Sequence, residues 1–322
     1  MRRRDVLAGG LGLGLARATN PALAQSAPPR VGLLFFGSEN GSPGFTAFRD
    51  ALRDLGHVEG RTIFLYAQYA DGSLERLAAR AAQFAQENVA AIVAFGAAPT
   101  QEAIRATRTI PVIMAAVGEP VASGYVATLS RPGGNVTGVG LDNAAVAVKQ
   151  VEMLHEVVPF ARRLAVVFHG SETTPEHPAV SAVLSLGLAP VRLAVQNADE
   201  LQQSLVRNAD PGIDAVFVAS NPWLDGQRFR IARFARERRL PTMGPFRLHA
   251  QDGFLLSYGP KLSALHRRAA SFLDRVLRGT SPAELPVEMP DIYELFVNRE
   301  VAAAIGLTIP PTLLARADEV IE

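Results

Sequence analysis

"RVGLLFFGSE" (30–39) and "RLAVVFHGSE" (163–172) align without a gap, and this pairing decides how the chain folds. The two stretches share Arg, Phe, Gly, Ser and Glu, with apolar residues facing apolar ones between them and Phe36 opposite His169. Each starts as a continuous apolar run, the pattern of a strand covered on both faces, and ends in small polar residues where the chain can turn. Two more pairs follow in the same order. "AAIVAFGAAP" (90–99) matches "IDAVFVASNP" (213–222), and "TIPVIM" (109–114) matches "RLPTMG" (239–244). Three matches in one order predict two copies of a single α/β unit.

Around the first copy, strand candidates at 30–36, 62–69, 90–95 and 111–117 alternate with stretches of helical period. Such alternation specifies a doubly wound parallel sheet with helices on both faces. Ligands of such sheets lie beyond the carboxyl ends of the strands, where helix N-termini point inward. "SRPGGNVTG" (130–138) falls between the copies and lacks the lysine of a phosphate loop. Its glycines Gly133, Gly134 and Gly138 therefore either form a hinge between two bodies or make a tight surface turn. Farther on, 261–278 has amphipathic helical period and "GTSPAELP" reads as a second connector. "IYELFVN" (292–298) is a last strand, "REVAAAIG" a short helix, and the prolines of the tail allow no helix before Thr312.

Composition excludes several functions. The 322 residues are 48% hydrophobic and 20% charged, enough apolar material for two cores. With no cysteine there is no disulfide, thiolate chemistry or lipid attachment through an N-terminal cysteine, so the protein is not a lipoprotein. The six histidines have no metal-ligand spacing, and neither metal nor cofactor is expected. Residues 1–24 carry a basic start, an apolar run from Val6 to Ala16 and an Ala22-x-Ala24 ending, the three regions of an export signal. Arg3-Arg4 fits a twin-arginine signal, and a basic Sec signal fits as well. Without that segment 28 basic and 30 acidic side chains remain, which gives no basic surface for nucleic acid.

Five further segments, "LRDLGHVEGRTI" (52–63), "IPVIMAAVGEPVASGYVATLSRPGGNVTGV" (110–139), "RRLPTMGPF" (238–246), "GFLLSYGP" (253–260) and "VAAAIGLTIPPTLLARADEVIE" (301–322), resemble the substrate-binding proteins of ABC transporters related to tryptophan and tyrosine binders. The resemblance implies the type I periplasmic-binding fold: two similar Rossmann-like lobes joined by three crossovers, with a ligand between them. It places 30–138 plus about 259–281 in the first lobe and 141–257 plus about 286–322 in the second. It also implies a periplasmic, monomeric protein that touches the membrane only through a permease with its ATPase. Two positions depart from the family pattern: Gly118-Glu119-Pro120 stands where Gly-Asp-Pro is usual, and His169-Gly170 where Asn-Pro is usual.

The recognition candidates are the strand-end residues. In the first lobe these are Phe36, Gly37 and Ser38; Gly96, Ala97 and Thr100; Gly118 and Glu119. In the second they are His169; Ser220, Asn221 and Trp223; Phe246 and Arg247. Small residues before a helix bare amide groups that suit a carboxylate, while Ser38, Thr100, Ser220 and Asn221 offer hydroxyl or amide bonds. Trp223 either stacks on a ligand ring or packs its own helix. Glu119 either receives an ammonium group or caps a helix from Pro120. Arg247 either pairs with an acid or is a solvated charge, His169 either bonds ligand or is satisfied locally, and Tyr258 reads as hinge. No G-x-S-x-G, H-E-x-x-H or nucleophile beside a base is present, so catalysis is not expected. A sensory clamshell feeding a receptor, or a scaffold without ligand, fits the same pattern.

Overall fold

The computed structural model describes residues 27–39, 44–170, 178–209 and 212–322. The export-signal segment 1–24 lies outside the described residues. The first half runs β1 (Arg30–Phe35), α1 (Gly44–Asp54), β2 (Phe64–Tyr69), α2 (Leu74–Gln86), β3 (Ala91–Phe95), α3 (Ala97–Ala106), β4 (Val112–Gly118) and β5 (Val136–Leu141). These strands form one parallel sheet in the order β2-β1-β3-β4-β5. Its apolar runs are buried on both faces: Val31, Leu33 and Phe35 join one core cluster, and Leu34 and Phe36 the other. Gly32 packs under Phe84, whose ring carbons would lie 2.6 Å from an added Cβ.

The second half continues with α4 (Asn143–Val157), β6 (Arg163–His169), α5 (Pro178–Ser185), β7 (Ala189–Val195), α6 (Ala198–Ala209), β8 (Ala215–Val218), α7 (Pro222–Glu237), β9 (Thr242–Gly244), α8 (Arg247–Gln251) and β10 (Leu256–Pro260). After α9 (Leu262–Leu277) come β11 (Tyr293–Asn298), α10 (Arg299–Ile305), α11 (Pro311–Leu314) and β12 (Glu319–Ile321). The second sheet has the order β12-β11-β10-β9-β8-β6-β7, with β10 and β11 antiparallel. β6 repeats the division seen in β1: Leu164, Val166 and Phe168 enter one cluster, Ala165 and Val167 the other. Two α/β lobes of doubly wound, Rossmann-like plan result.

The chain passes between the sheets three times: from β5 into α4 at Asp142, from β10 into α9 at Lys261, and from Glu288 to β11. The helix α9 returns to pack on α1 and the first sheet. Before the third passage Glu288 is hydrogen-bonded to β5, donating to Gly138 and accepting from Gly140. Gly133 and Gly134 lie in the turn that leads into β5, at the amino-terminal end of the first sheet, and Asn135 bonds back to Ile110 from there. Gly138 is within β5 itself, at φ 132°, where an added Cβ would be 2.3 Å from the Met114 carbonyl oxygen. Tyr258 is two residues before the end of β10, and its ring stacks on Tyr293 at 5.9 Å beside the third passage. Two features differ from the sequence expectation. The tail helix begins at Pro311, because proline is tolerated at a first helical position whose N–H has no partner. The short strand β12, with no periodicity to announce it, closes the edge of the second sheet.

Candidate functional site

The carboxyl ends of β1, β3 and β4 face those of β6, β8 and β9 across a cleft of about 620 Å³, a volume that suits a small solute. Phe36, Gly37, Gly96, Ala97, Gly118 and Glu119 line it from the first lobe, and His169, Ser220, Asn221 and Phe246 from the second. The first lobe adds an aromatic wall. The Phe35 ring lies parallel to those of Tyr69 and Phe95 at 4.8 and 4.2 Å, and Phe45 meets it edge-on at 6.0 Å. His266, carried back to this lobe by α9, meets Phe95 at 5.3 Å. Its imidazole is pushed down to about 4 by burial and is therefore neutral near pH 7.

Two long helices aim their N-termini at the cleft. α3 begins after Gly96, which has φ 98° and no side chain to cap the first amides. α7 begins after Asn221, whose side chain accepts from the Trp223 amide at 2.9 Å. A bare helix N-terminus favours an anion by its amide groups and dipole. Among the described residues no lysine or arginine lines the cleft, whereas the acids Glu119, Asp142 and Asp225 do.

Glu119 stands at φ 43° and joins the lobes. Its carboxylate accepts from the Ala144 amide at 3.2 Å and the Asn143 side chain at 3.4 Å, so it caps α4; no helix follows Pro120. Burial raises its pKa against those bonds. Asp142 caps the same helix, accepting from the Ala145 amide at 2.9 Å. His169 is lowered in pKa by burial, with a backbone hydrogen bond to Gln196 opposing the shift.

Four of the sequence candidates lie outside the lining. Thr100 is fully buried and donates to the Gly96 carbonyl at 2.9 Å. Arg247 pairs with Glu319 at 2.7 Å and covers the Phe296 ring. Ser38 is beside the cleft without lining it. Trp223 packs against clusters of both lobes and tilts over His169 at 4.4 Å, while His169 meets Phe36 edge-on at 5.2 Å. An added Cβ on Gly72 would fall 2.5 Å from the Trp223 ring, and one on Gly96 would fall 3.1 Å from Pro222. The start of α7 is thus seated in a glycine notch of the opposite lobe.

Sequence reading missed Asp225, Asp142, His266 and the rings Phe35, Phe45 and Phe95. An acid in a first helical turn is an ordinary choice, which hid Asp225. His266 had no local signal, because only the return of α9 brings it to the cleft.

Comparison with known proteins follows the same lines. The family described as ABC transporter substrate binding protein matches residues 44–321. A tyrosine-binding protein of Clostridioides difficile (strain R20291) is 26% identical over 263 residues, covering 81% of this chain and 75% of that protein. Among solved structures, a domain from Streptococcus pneumoniae in complex with L-Trp gives a TM-score of 0.84 at 23% identity, covering 92% of this chain and all of that one. A conserved domain protein from Vibrio cholerae gives 0.82 at 24% identity, covering 91% of this chain and all of that one.

Proposed function

The chain belongs to the ABC transporter substrate binding protein family, and from that premise we propose that it captures a small amino acid or aromatic carboxylate in the cleft and delivers it to a permease with its ATPase. The family binds solute and does not transform it. The observation that carries the ligand class is the cleft itself, whose lining combines an aromatic wall with helix N-termini and has no cationic side chain among the described residues. A ring is received by Phe35, Phe45 and Phe95, and a carboxylate by the uncapped amides of α3. The tyrosine binder and the L-Trp complex among the relatives agree with this reading.

In this reading the protein acts in the periplasm after export and works by closure. A solute that touches both lobes stabilises the closed form, whereas one that touches a single lobe shifts nothing. Bending takes place at the crossovers near Asp142, Tyr258 to Lys261 and Met289 to Ile292, where the chain leaves one sheet for the other. The test is a thermal-shift series on the chain without residues 1–24, with L-tyrosine, L-tryptophan, aliphatic amino acids and sugars. A native-state ligand at a hundredfold excess over its Kd adds roughly 2.7 kcal/mol of stability. The expected result is a rise in melting temperature with an aromatic amino acid and none with sugars; a response to a sugar alone overturns the ligand class.

A further inference from the structure

Asp225 sits one turn into α7, is 8% exposed, and lines the cleft. Its Oδ1 has no hydrogen-bond partner among the described residues and faces His249 Nε2 at 3.5 Å. The tautomer of that histidine follows from its other nitrogen. Nδ1 is 3.3 Å from the carbonyl oxygen of Phe246, and a carbonyl only accepts, so the ring proton is on Nδ1 and Nε2 turns a lone pair toward Asp225. A buried carboxylate against a lone pair is unfavourable unless a proton lies between them. Burial accordingly raises Asp225 to about 7 and lowers His249 to about 3.

Among the described residues no lysine or arginine bonds to this carboxyl. Arg228, the cation whose charge acts on it, donates to Asp252 at 2.6 Å and to the Asp225 main-chain carbonyl at 2.7 Å, with no bond to the Asp225 carboxyl. Glu119 and Asp142 are both engaged on the first turn of α4. Asp225 is therefore the one cleft carboxyl, among the described residues, that neither caps a helix nor forms an ion pair with lysine or arginine.

We propose that Asp225 receives the ammonium group of the ligand, which makes the solute an amine-bearing compound and gives α7 the role of reading its cationic end. The assignment rests on the ligand class proposed above and replaces Glu119 as the ammonium partner. With the amine seated, its positive charge outweighs the repulsion between the Asp225 carboxylate and the His249 lone pair, so Asp225 releases its proton to solvent and forms the ion pair that the protein leaves unmade. Arg228 and His249 are the charged and titratable groups that act on it from α7 and α8.

Calorimetry on the wild type, Asp225→Asn and Glu119→Gln tests this with L-tyrosine, tyramine, which lacks the carboxylate, and 3-(4-hydroxyphenyl)propionate, which lacks the amine. The expected result is that Asp225→Asn weakens tyrosine and tyramine at least tenfold and leaves the propionate unchanged, whereas Glu119→Gln changes all three alike. In the wild type, tyrosine binding near pH 7, measured in two buffers of different ionisation heat, releases protons, and propionate binding does not. This second readout needs no variant and holds if Asp225→Asn fails to fold. Wild-type tyrosine binding that Asp225→Asn leaves intact, or that releases no proton, overturns the role of Asp225 alone. A wild type that binds none of the three overturns the ligand class and the assignment together.

Discussion

The two lobes share one plan and carry opposite equipment at their strand ends. β1 leads into Phe36-Gly37 and β3 into Gly96-Ala97, whereas β6 ends at His169 before Gly170 and β8 leads into Ser220-Asn221-Pro222-Trp223. One copy is bare and the other is furnished. They meet as a notch and a plug: Gly37, Gly72 and Gly96 leave the space that Pro222 and Trp223 occupy. A duplicated unit can thus make a closing clamp through divergence at a few loop positions while both sheets keep their cores.

That contrast breaks first where a first-lobe glycine serves the sheet instead of the notch. Gly138 combines φ 132° with a Cβ position 2.3 Å from the Met114 backbone, at the place where the β4–β5 register shifts. Gly138→Val should cost on the order of 3 kcal/mol or more, since both strain and a backbone clash oppose it. Urea unfolding reads it. A variant of wild-type stability would mean that β5 can move without disturbing β4.

The lobes also differ in how they bury a histidine. His266 in the first lobe stands alone at about 4, whereas His249 in the second shares its site with Asp225. A histidine lowered from its ordinary pKa takes up a proton in the unfolded chain before the native one, so its stabilisation is complete above 6.5 and is lost as pH falls toward 4. The shift corresponds to roughly 3 kcal/mol at most. Asp225 has the opposite sign, because a raised carboxyl loses stability as pH rises from about 4 to 7. His249, lowered to about 3, has the sign of His266, but Asp225 beside it offsets the loss, so acid unfolding should start in the first lobe, where no raised carboxyl faces His266. His266→Leu should flatten the decline of stability between pH 6.5 and 4.5; an unchanged slope would place the acid sensitivity elsewhere.

The sheets were legible because strands covered on both faces must be continuously apolar, and the duplicated order of "RVGLLFF" and "RLAVVFH" exposed the second lobe. Strand-end loops were legible for the same topological reason. The roles within them were not. Glu119 became a cap for α4, and Trp223 a contact with Gly72, through residues that are distant in sequence. His266 enters the cleft only because α9 crosses back, and crossings are set by packing rather than by any local motif.

The notch itself is tested at Gly72. Its φ of 78° makes alanine there cost about 1 kcal/mol in backbone strain alone, so Gly72→Ala should still fold. The added Cβ meets Trp223 at 2.5 Å, however, and should keep the lobes apart, weakening ligand tenfold or more. Small-angle scattering would then give a radius of gyration that no longer contracts on adding ligand. Normal contraction would show that Trp223 swings aside.

Trp223→Ala is the gentler change and separates the two roles left open for this residue. As a plug it contributes contact between lobes, and removing it should weaken every ligand by about 1–2 kcal/mol, whether or not the ligand has a ring. As a stacking partner it would weaken ring-bearing ligands alone. Trp223 packs on both cores and is absent from the cleft lining, so the uniform loss is expected. Combining it with Gly72→Ala closes the argument: once the ring is gone the alanine has nothing to strike, and its penalty should shrink to the backbone strain. A double variant whose losses simply add would mean that Gly72 and Trp223 act independently, and the notch and the plug would be two unrelated surfaces.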